Sequence, residues 1–254
     1  MEKLYIPLFF FFGCIFGSFF AVVGERLPKK ENFTTSSSHC DSCGHKLAFL
    51  DMIPVFTYLF NLGKCRYCKA PIPVLLPVVE LLTGLLFSVS YYSFGFSYEL
   101  LVALGVVALF MIVLVSDLLY YIISDGVLVF FAFYFIIIQY FKGGLNYMSS
   151  RVVTGLFLFL IMYFIMIFGE KVFKKESLGG GDVKLLFVFG LVLEPILGVL
   201  SIFIASVIAL IPSIYILIKN RDHMIPFGPF LLVSFAFIYF SKITTLDFLK
   251  FLGF

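Results

Sequence analysis

The chain has 254 residues, of which 62% are hydrophobic and only 13% charged, with 36 Phe, 14 Tyr and no Trp, and its mean hydropathy is +1.11. A soluble domain carries about 45–50% apolar and about 25% charged residues, so a water-soluble globule, a disordered chain and a disulfide-stapled secreted domain are excluded, and the lipid bilayer is the solvent. At about 20 apolar residues per spanning helix the composition allows seven or eight spans, and a net charge of +3 gives no reason to expect a nucleic-acid partner.

The first apolar run, Leu4 to Val23, ends at Gly24-Glu25-Arg26. It is longer than the apolar core of a secretory signal and lacks a small-residue cleavage site, which predicts a retained first helix within 1–23. Residues 24–74 differ in character: charges, Ser36-Ser37-Ser38, four Cys, two His and several Pro. They are the only polar segment long enough to fold outside the bilayer. Apolar runs resume at 75–97, 99–116, 126–141, 152–168, 183–193, 196–218 and 227–241, so 75–254 is expected to form a core of seven further helices. The short run after Asp182 spans only if it is tilted or reaches past Lys184 and Glu194. The expected fold is thus an all-α membrane protein, a polytopic bundle of about eight transmembrane helices with one folded loop.

Eight spans place the polar segments alternately on two sides. Thirteen of the 18 basic residues fall on one side, among them Arg26, Lys29, Lys64, Arg66, Lys171, Lys175, Lys184, Lys219 and Arg221. Lys3, Lys142, Arg151, Lys242 and Lys250 fall on the other. By the positive-inside rule the first side is cytoplasmic and both termini face out.

The loop contains Cys40-Asp-Ser-Cys43 and Cys65-Arg-Tyr-Cys68. Two such knuckles match a four-thiolate zinc site, because each offers two sulfurs to a tetrahedron. Two disulfides or a redox pair are the alternative, against which a reducing cytoplasm argues. A closed four-cysteine site leaves no open coordination position, so Zn2+ is expected to be structural, with Cys40, Cys43, Cys65 and Cys68 as ligands and His39 or His45 as possible substitutes. Cys14, inside the first span, reads as a packed apolar residue.

Two acids stand out. Asp117 closes the third span, and Asp182 follows Gly179-Gly180-Gly181 at the entry to the short run. Glycines there permit backbone geometries closed to other residues and close approach of another segment. Asp182 could be no more than an N-cap, yet ionisable groups at the hydrocarbon edge default to functional hypotheses. Two acids on one face suggest a pair sharing a proton, one activating water while the other protonates a leaving group. Asp125 competes with Asp117, although capping of the fourth span explains it. Glu80, after Pro77, needs a partner, for which Arg26 or a loop lysine is the simplest choice, with substrate contact the alternative. Lys184 either snorkels to the interface or touches the acid pair.

Together these residues resemble the prepilin peptidases of type IV pili, competence pseudopili and type II secretion, a family of GxGD membrane aspartyl proteases. The resemblance is carried by Gly17-Ser18-Phe19 with Val22-Val23 and Arg26-Leu27-Pro28, then by the paired knuckles with Ile53-Pro54 between them and Pro77-Val-Val-Glu80 after them, and finally by Asp117 and by Gly179-Gly180-Gly181-Asp182-Val183-Lys184. Ala21, Met52, Tyr58 and Ser124 depart from the family pattern. The resemblance implies a bacterial cytoplasmic (inner) membrane enzyme that removes the basic leader from prepilins or pseudopilins at the cytoplasmic face, with Asp117 and Asp182 catalytic. It also implies N-methylation of the new amino terminus with S-adenosylmethionine, for which no glycine-rich strand-turn-helix site is present. Glu25, Glu31 and Glu176 are candidate contacts for a basic leader. A peptidase without methyltransferase activity, a non-catalytic assembly factor whose zinc loop binds a partner, and a transporter using the acids as a proton relay remain as alternatives.

Overall fold

The computed structural model describes residues 2–32, 39–40, 42–174, 178–218, 226–251 and 253. Lys175, Lys219, Arg221, Glu176 and Ser36 to Ser38, all named above, lie outside the described residues. Among the described residues every named element is a helix: α1 (Glu2–Arg26), a 3-10 turn (Phe49–Met52), α2 (Phe56–Phe60), α3 (Leu75–Phe94), α4 (Tyr98–Tyr120), α5 (Asp125–Phe173), α6 (Gly180–Gly190), α7 (Pro195–Ile218), α8 (Gly228–Ser241) and α9 (Thr245–Phe251). Five of them, α1, α3, α4, α5 and α7, are long and apolar enough to cross a membrane. A sixth span results if α8 and α9, bent by 95°, count as one. The chain is therefore a multi-pass membrane protein.

That count stops short of the expected eight for physical reasons. The runs at 126–141 and 152–168 join into α5, whose 49 residues would measure about 70 Å as one straight helix, more than twice the roughly 30 Å hydrocarbon core. The element breaks at Gly144, with φ 73 and ψ −169, a conformation that side chains exclude. α6 has 11 residues, about 16 Å, too short to cross.

The chain divides into two compact units, Met1–Val115 and Ser116–Phe254. In the first, α1 and α3 run antiparallel along a seam of small residues. A Cβ on Gly13 would lie 2.7 Å from Gly84 Cα, one on Gly17 2.8 Å from Glu80 Cα, and one on Gly84 2.6 Å from Cys14 Sγ. This is the close backbone approach that a GxxxG spacing provides in lipid, where apolar burial cannot drive helices together. Cys14 is buried in the seam, in the packing role expected for it. Tyr5, Phe9, Tyr91 and Phe96 close one end with interlocking rings, while Leu8, Phe12, Ile15 and Phe19 face outward, as a lipid-bathed surface requires.

In the second unit α6 is the buried centre, with Val183, Leu185, Leu186, Val188 and Phe189 all enclosed. Both arms of α5 pack on it. A Cβ on Gly190 would meet Gly155 Cα at 2.5 Å, and Phe189 stacks on Phe235 of α8 with centroids 3.9 Å apart. The last carbonyls of α6 have no helical partner. Gln139 Nε2 donates to Leu191 O at 2.7 Å and Arg151 Nη1 to Val192 O at 3.3 Å. Those two residues flank the Gly144 break, so the α5 turn lies at the carboxyl end of α6, opposite Asp182. Hydroxyls within the helices bond back to carbonyls one turn earlier, as Thr83 does to Val79 O at 2.6 Å and Ser90 to Leu86 O at 2.7 Å. Ser234 crosses from α8 to Ser201 O of α7 at 2.8 Å.

Gly84→Leu drives a side chain into Cys14 and the Phe10 carbonyl and is expected to destabilise the first unit by about 1–3 kcal/mol, the scale of an overpacked core. Leu85→Ala, on the outward face, should change stability by less than about 0.5 kcal/mol. Unfolding in mixed detergent micelles distinguishes the two.

Candidate active site and metal site

Asp117 lies in the last turn of α4 and is 5% exposed; Asp182 lies in the first turn of α6 and is 6% exposed. The α6 cap is Gly179, in extended conformation at φ −69 and ψ 136, which places Asp182 three residues inside rather than at the cap position. Its carboxylate accepts a hydrogen bond from the Gly179 backbone N–H, at the helix end whose dipole favours negative charge. The two carboxylates converge. A Cβ built on Gly228 would lie 2.4 Å from Asp117 Oδ2 and 3.4 Å from Asp182 Oδ1, so a single methyl group there would touch both. Asp117 Oδ2 is buried and has no hydrogen-bond partner. An unpaired buried acceptor costs about 1–3 kcal/mol and persists where the geometry serves something else.

The glycines do not all act as expected. None of Gly179, Gly180 and Gly181 has a positive φ. The requirement is for space, and it falls on Gly181, whose Cβ would meet Ile123 Cβ at 2.8 Å; at Gly180 the space is open. Asp125 is not a cap: Ser124 holds that position without a side-chain hydrogen bond. Lys184 Nζ instead grips Asp125 at 2.7 and 2.9 Å. Lys184 therefore neither extends freely to the interface nor touches the acid pair. It ties the start of α6 to the start of α5, in an exposed pair of the kind worth about 0–1 kcal/mol.

Glu80 meets neutral donors. Its Oε2 accepts the Val55 N–H at 2.7 Å, and the Ser18 hydroxyl donates to the same carboxylate. Two contributors escaped sequence reasoning. Gly228, in Phe227-Gly228-Pro229, is legible only as a Gly-Pro helix entry. Val55 sits at φ 63 and ψ −50, an outlier for a β-branched residue that no local pattern announces.

In the loop, the four sulfurs of Cys40, Cys43, Cys65 and Cys68 lie within 4.8 Å of one another, and all are free thiols rather than disulfides. Cys40 Sγ and Cys68 Sγ are 3.8 Å apart, the edge of a tetrahedron with metal–sulfur bonds of about 2.3 Å. The knuckles are conformational copies. Gly44 N donates to Cys40 O at 2.8 Å and Cys40 N to His45 O at 3.0 Å, while Lys69 N donates to Cys65 O at 3.0 Å and Cys65 N to Ala70 O at 2.8 Å. Gly44 and Lys69, which follow the second cysteine of each, both have positive φ, 69 and 62. Backbone N–H groups of Cys68 and then Tyr67 aimed at Cys65 Sγ hold its thiol down at about 7, favouring the thiolate that metals require. The donor set fits a metal ion. Among the described residues the cluster contains four cysteines and no histidine: His45 lies against the Tyr67 ring, centroids 3.7 Å apart and tilted, and His39 lines the cavities beside the knuckles. Asp51 fastens the 3-10 turn to the second knuckle through Tyr67 Oη at 2.8 Å and Arg66 at 3.5 Å.

The family model described as Bacterial Peptidase A24 N-terminal domain matches residues 11–94, and that of the Type IV leader peptidase family matches residues 103–214. Among curated relatives, the chain is similar to proteins named prepilin leader peptidase/N-methyltransferase. That of Myxococcus xanthus is 37% identical over 205 residues, 78% of this chain and 59% of the relative. That of Bacillus subtilis is 31% identical over 74% of this chain and 73% of the relative. That of Vibrio cholerae is 29% identical over 95% of this chain and 98% of the relative. The match thus spans less than two thirds of the Myxococcus protein. No solved structure matches the chain.

Metal analysis of the purified protein is expected to find about one equivalent of thiolate-bound metal per chain. Cys65→Ser should remove most of it and expose residues 24–74 to proteolysis. Because the ligands must be deprotonated, acidification should release the metal.

Proposed function

Because the chain belongs to the type IV leader peptidase family, we propose that it is a membrane aspartyl endopeptidase that removes the leader peptide of prepilins or pseudopilins and then N-methylates the new amino terminus. Both activities stand in the names of its relatives. The observation that carries the peptidase reading is the convergence of Asp117 and Asp182 on Gly228. With one proton between them, the ionised carboxylate takes a proton from a water as it attacks the scissile carbonyl, and the protonated one delivers its proton to the leaving nitrogen. Burial suits this task, since a dry site strengthens both proton transfers. The missing side chain of Gly228 leaves room for reacting atoms between the acids, and Ile123 against Gly181 sets the position from which Asp182 projects.

We assign the loop metal as Zn2+ in a structural role, because four thiolates fill its tetrahedral shell and leave no position for substrate. The loop and the acids belong to the cytoplasmic face, with both termini outside. The support is the excess of basic residues on that side of the sequence, together with the Asp125–Lys184 pair at the acid end of the second unit. The apolar stem of the substrate stays in the bilayer while its leader meets the acids where α4 ends and α6 begins.

Asp117→Asn and Asp182→Asn should each abolish cleavage of a prepilin by the solubilised enzyme, whereas Asp125→Asn should retain it within about threefold, because its pair is exposed. Full cleavage by either of the first two variants removes the dyad. The wild type should lose activity both where the two acids ionise together and where both are protonated.

The glycines give a finer test. Gly181→Ala and Gly228→Ala are expected to lower kcat about 100-fold, the effect of displacing a catalytic group by about 1 Å. Gly180→Ala, facing open space, should change kcat by less than about threefold. Equal effects at all three would mean that backbone freedom, not clearance, is what the glycines provide.

A further inference from the structure

Between the polar loop and the α1–α3 seam lies a cavity of about 480 Å³, within the size range of small-molecule sites. Its lining mixes four carboxylates, Glu25, Glu31, Asp51 and Glu80, with cations and hydroxyls, and two of the four are engaged in ion pairs. Glu25 pairs with Lys29 at 3.0 Å, and Asp51 with Tyr67 and Arg66. Glu80 differs. Its partners are a backbone N–H and a hydroxyl, and no ion pair joins it to a cation among the described residues, although Arg26 lines the same cavity. A carboxylate withdrawn from water in this way is costly unless a positive group completes it. The N–H that reaches it belongs to Val55, held at φ 63 and ψ −50, strained backbone of the sort that persists at ligand sites.

A second cavity of about 640 Å³ adjoins the first and shares Ser18, Val22, Arg26, Met52, Ile53 and Val55 with it. Its other walls are apolar, including Phe11, Phe19 and Phe56. A polar chamber whose Glu80 carboxylate is held by neutral donors thus opens directly onto an apolar one.

We propose that the polar cavity binds the methyl donor S-adenosylmethionine with its cationic sulfonium group opposite Glu80, and that the apolar cavity seats the substrate's new amino-terminal residue at the shared wall. This rests on the N-methyltransferase part of the reading above. The transfer balances without a further reactant. The amine lone pair forms a carbon–nitrogen bond, the carbon–sulfur bond breaks with its electron pair left on sulfur as a neutral thioether, and one proton leaves nitrogen for solvent. Glu80 favours the cationic donor over the neutral product, and the groove admits an apolar terminus while excluding water from the amine.

The test is equilibrium dialysis of the full chain, with its metal, in lipid nanodiscs against radiolabelled S-adenosylmethionine and, separately, S-adenosylhomocysteine, which lacks the sulfur charge. Glu80→Gln keeps the shape and can still accept from Val55. It is expected to weaken binding of the methyl donor about tenfold, the scale of one charge-assisted contact, and to leave binding of the neutral product within about twofold. Should Glu80→Gln not fold, Met52→Trp, which fills the shared wall and leaves Glu80 in place, should weaken donor binding by a similar factor. A wild type that methylates, with Glu80→Gln binding both ligands as the wild type does, overturns the site and leaves the methyltransferase reading standing. A wild type that cleaves its substrate but neither binds the donor nor methylates overturns both.

Discussion

Hydrocarbon offers no hydrogen bonds, and the arrangement of polar groups in this chain follows from that constraint. Buried hydroxyls return to carbonyls of their own helix, as at Thr83 and Ser90. The open end of α6 is closed by the side chains of Gln139 and Arg151. The one long polar segment lies outside the apolar runs and is organised by two cysteine knuckles whose backbone bonds are copies of each other. Since apolar burial gives no drive for helices to associate in lipid, association rests on close contact instead. Glycines accordingly mark the tightest approaches, Gly13 and Gly17 to α3 in one unit and Gly190 to Gly155 in the other.

Against that background two buried oxygens have no hydrogen-bond partner, Gln139 Oε1 and Asp117 Oδ2, and the second belongs to an acid pair that demands a reason. Asp117 has a buried oxygen with no partner, while every other engaged carboxylate discussed above has a donor or a cation. The pair is held from two directions, Asp182 by the Gly179 N–H and by the clearance of Gly181 against Ile123, and Asp117 by its place in the last turn of α4. Gly228 completes the site by having no side chain. Glu80 in the first unit is a milder case of the same logic, a carboxylate with neutral donors only.

Several parts of this arrangement are legible in the chain. The spacing of the knuckles predicts a four-sulfur cluster, and the sulfurs converge. The break at Lys142-Gly143-Gly144 is visible as a polar interruption, and the helix does break at Gly144. Asp117 and Asp182 stand out because charge at a hydrocarbon edge is scarce and costly. Other readings fail where one-dimensional rules meet long-range partners. Capping rules assign Asp125 to a helix start, yet it pairs with Lys184, 59 residues away. The rule that charge seeks charge matches Glu80 to a basic residue, yet it is met by a backbone amide presented from a strained Val55. Glycine before an acid suggests unusual backbone angles, yet only clearance at Gly181 is required.

Composition and periodicity are enough to establish that the chain lives in lipid, that its elements are helices, that one polar segment gathers four cysteines, and which two acids are out of place. These properties are local: each depends on residue type and spacing along the chain. Three others emerge only in the folded molecule: α6 is a buried half-length helix rather than a span, the acids meet over Gly228, and a strained turn presents its amide to Glu80. Those outcomes depend on which backbones come within contact distance, and that is set by packing between segments far apart in sequence.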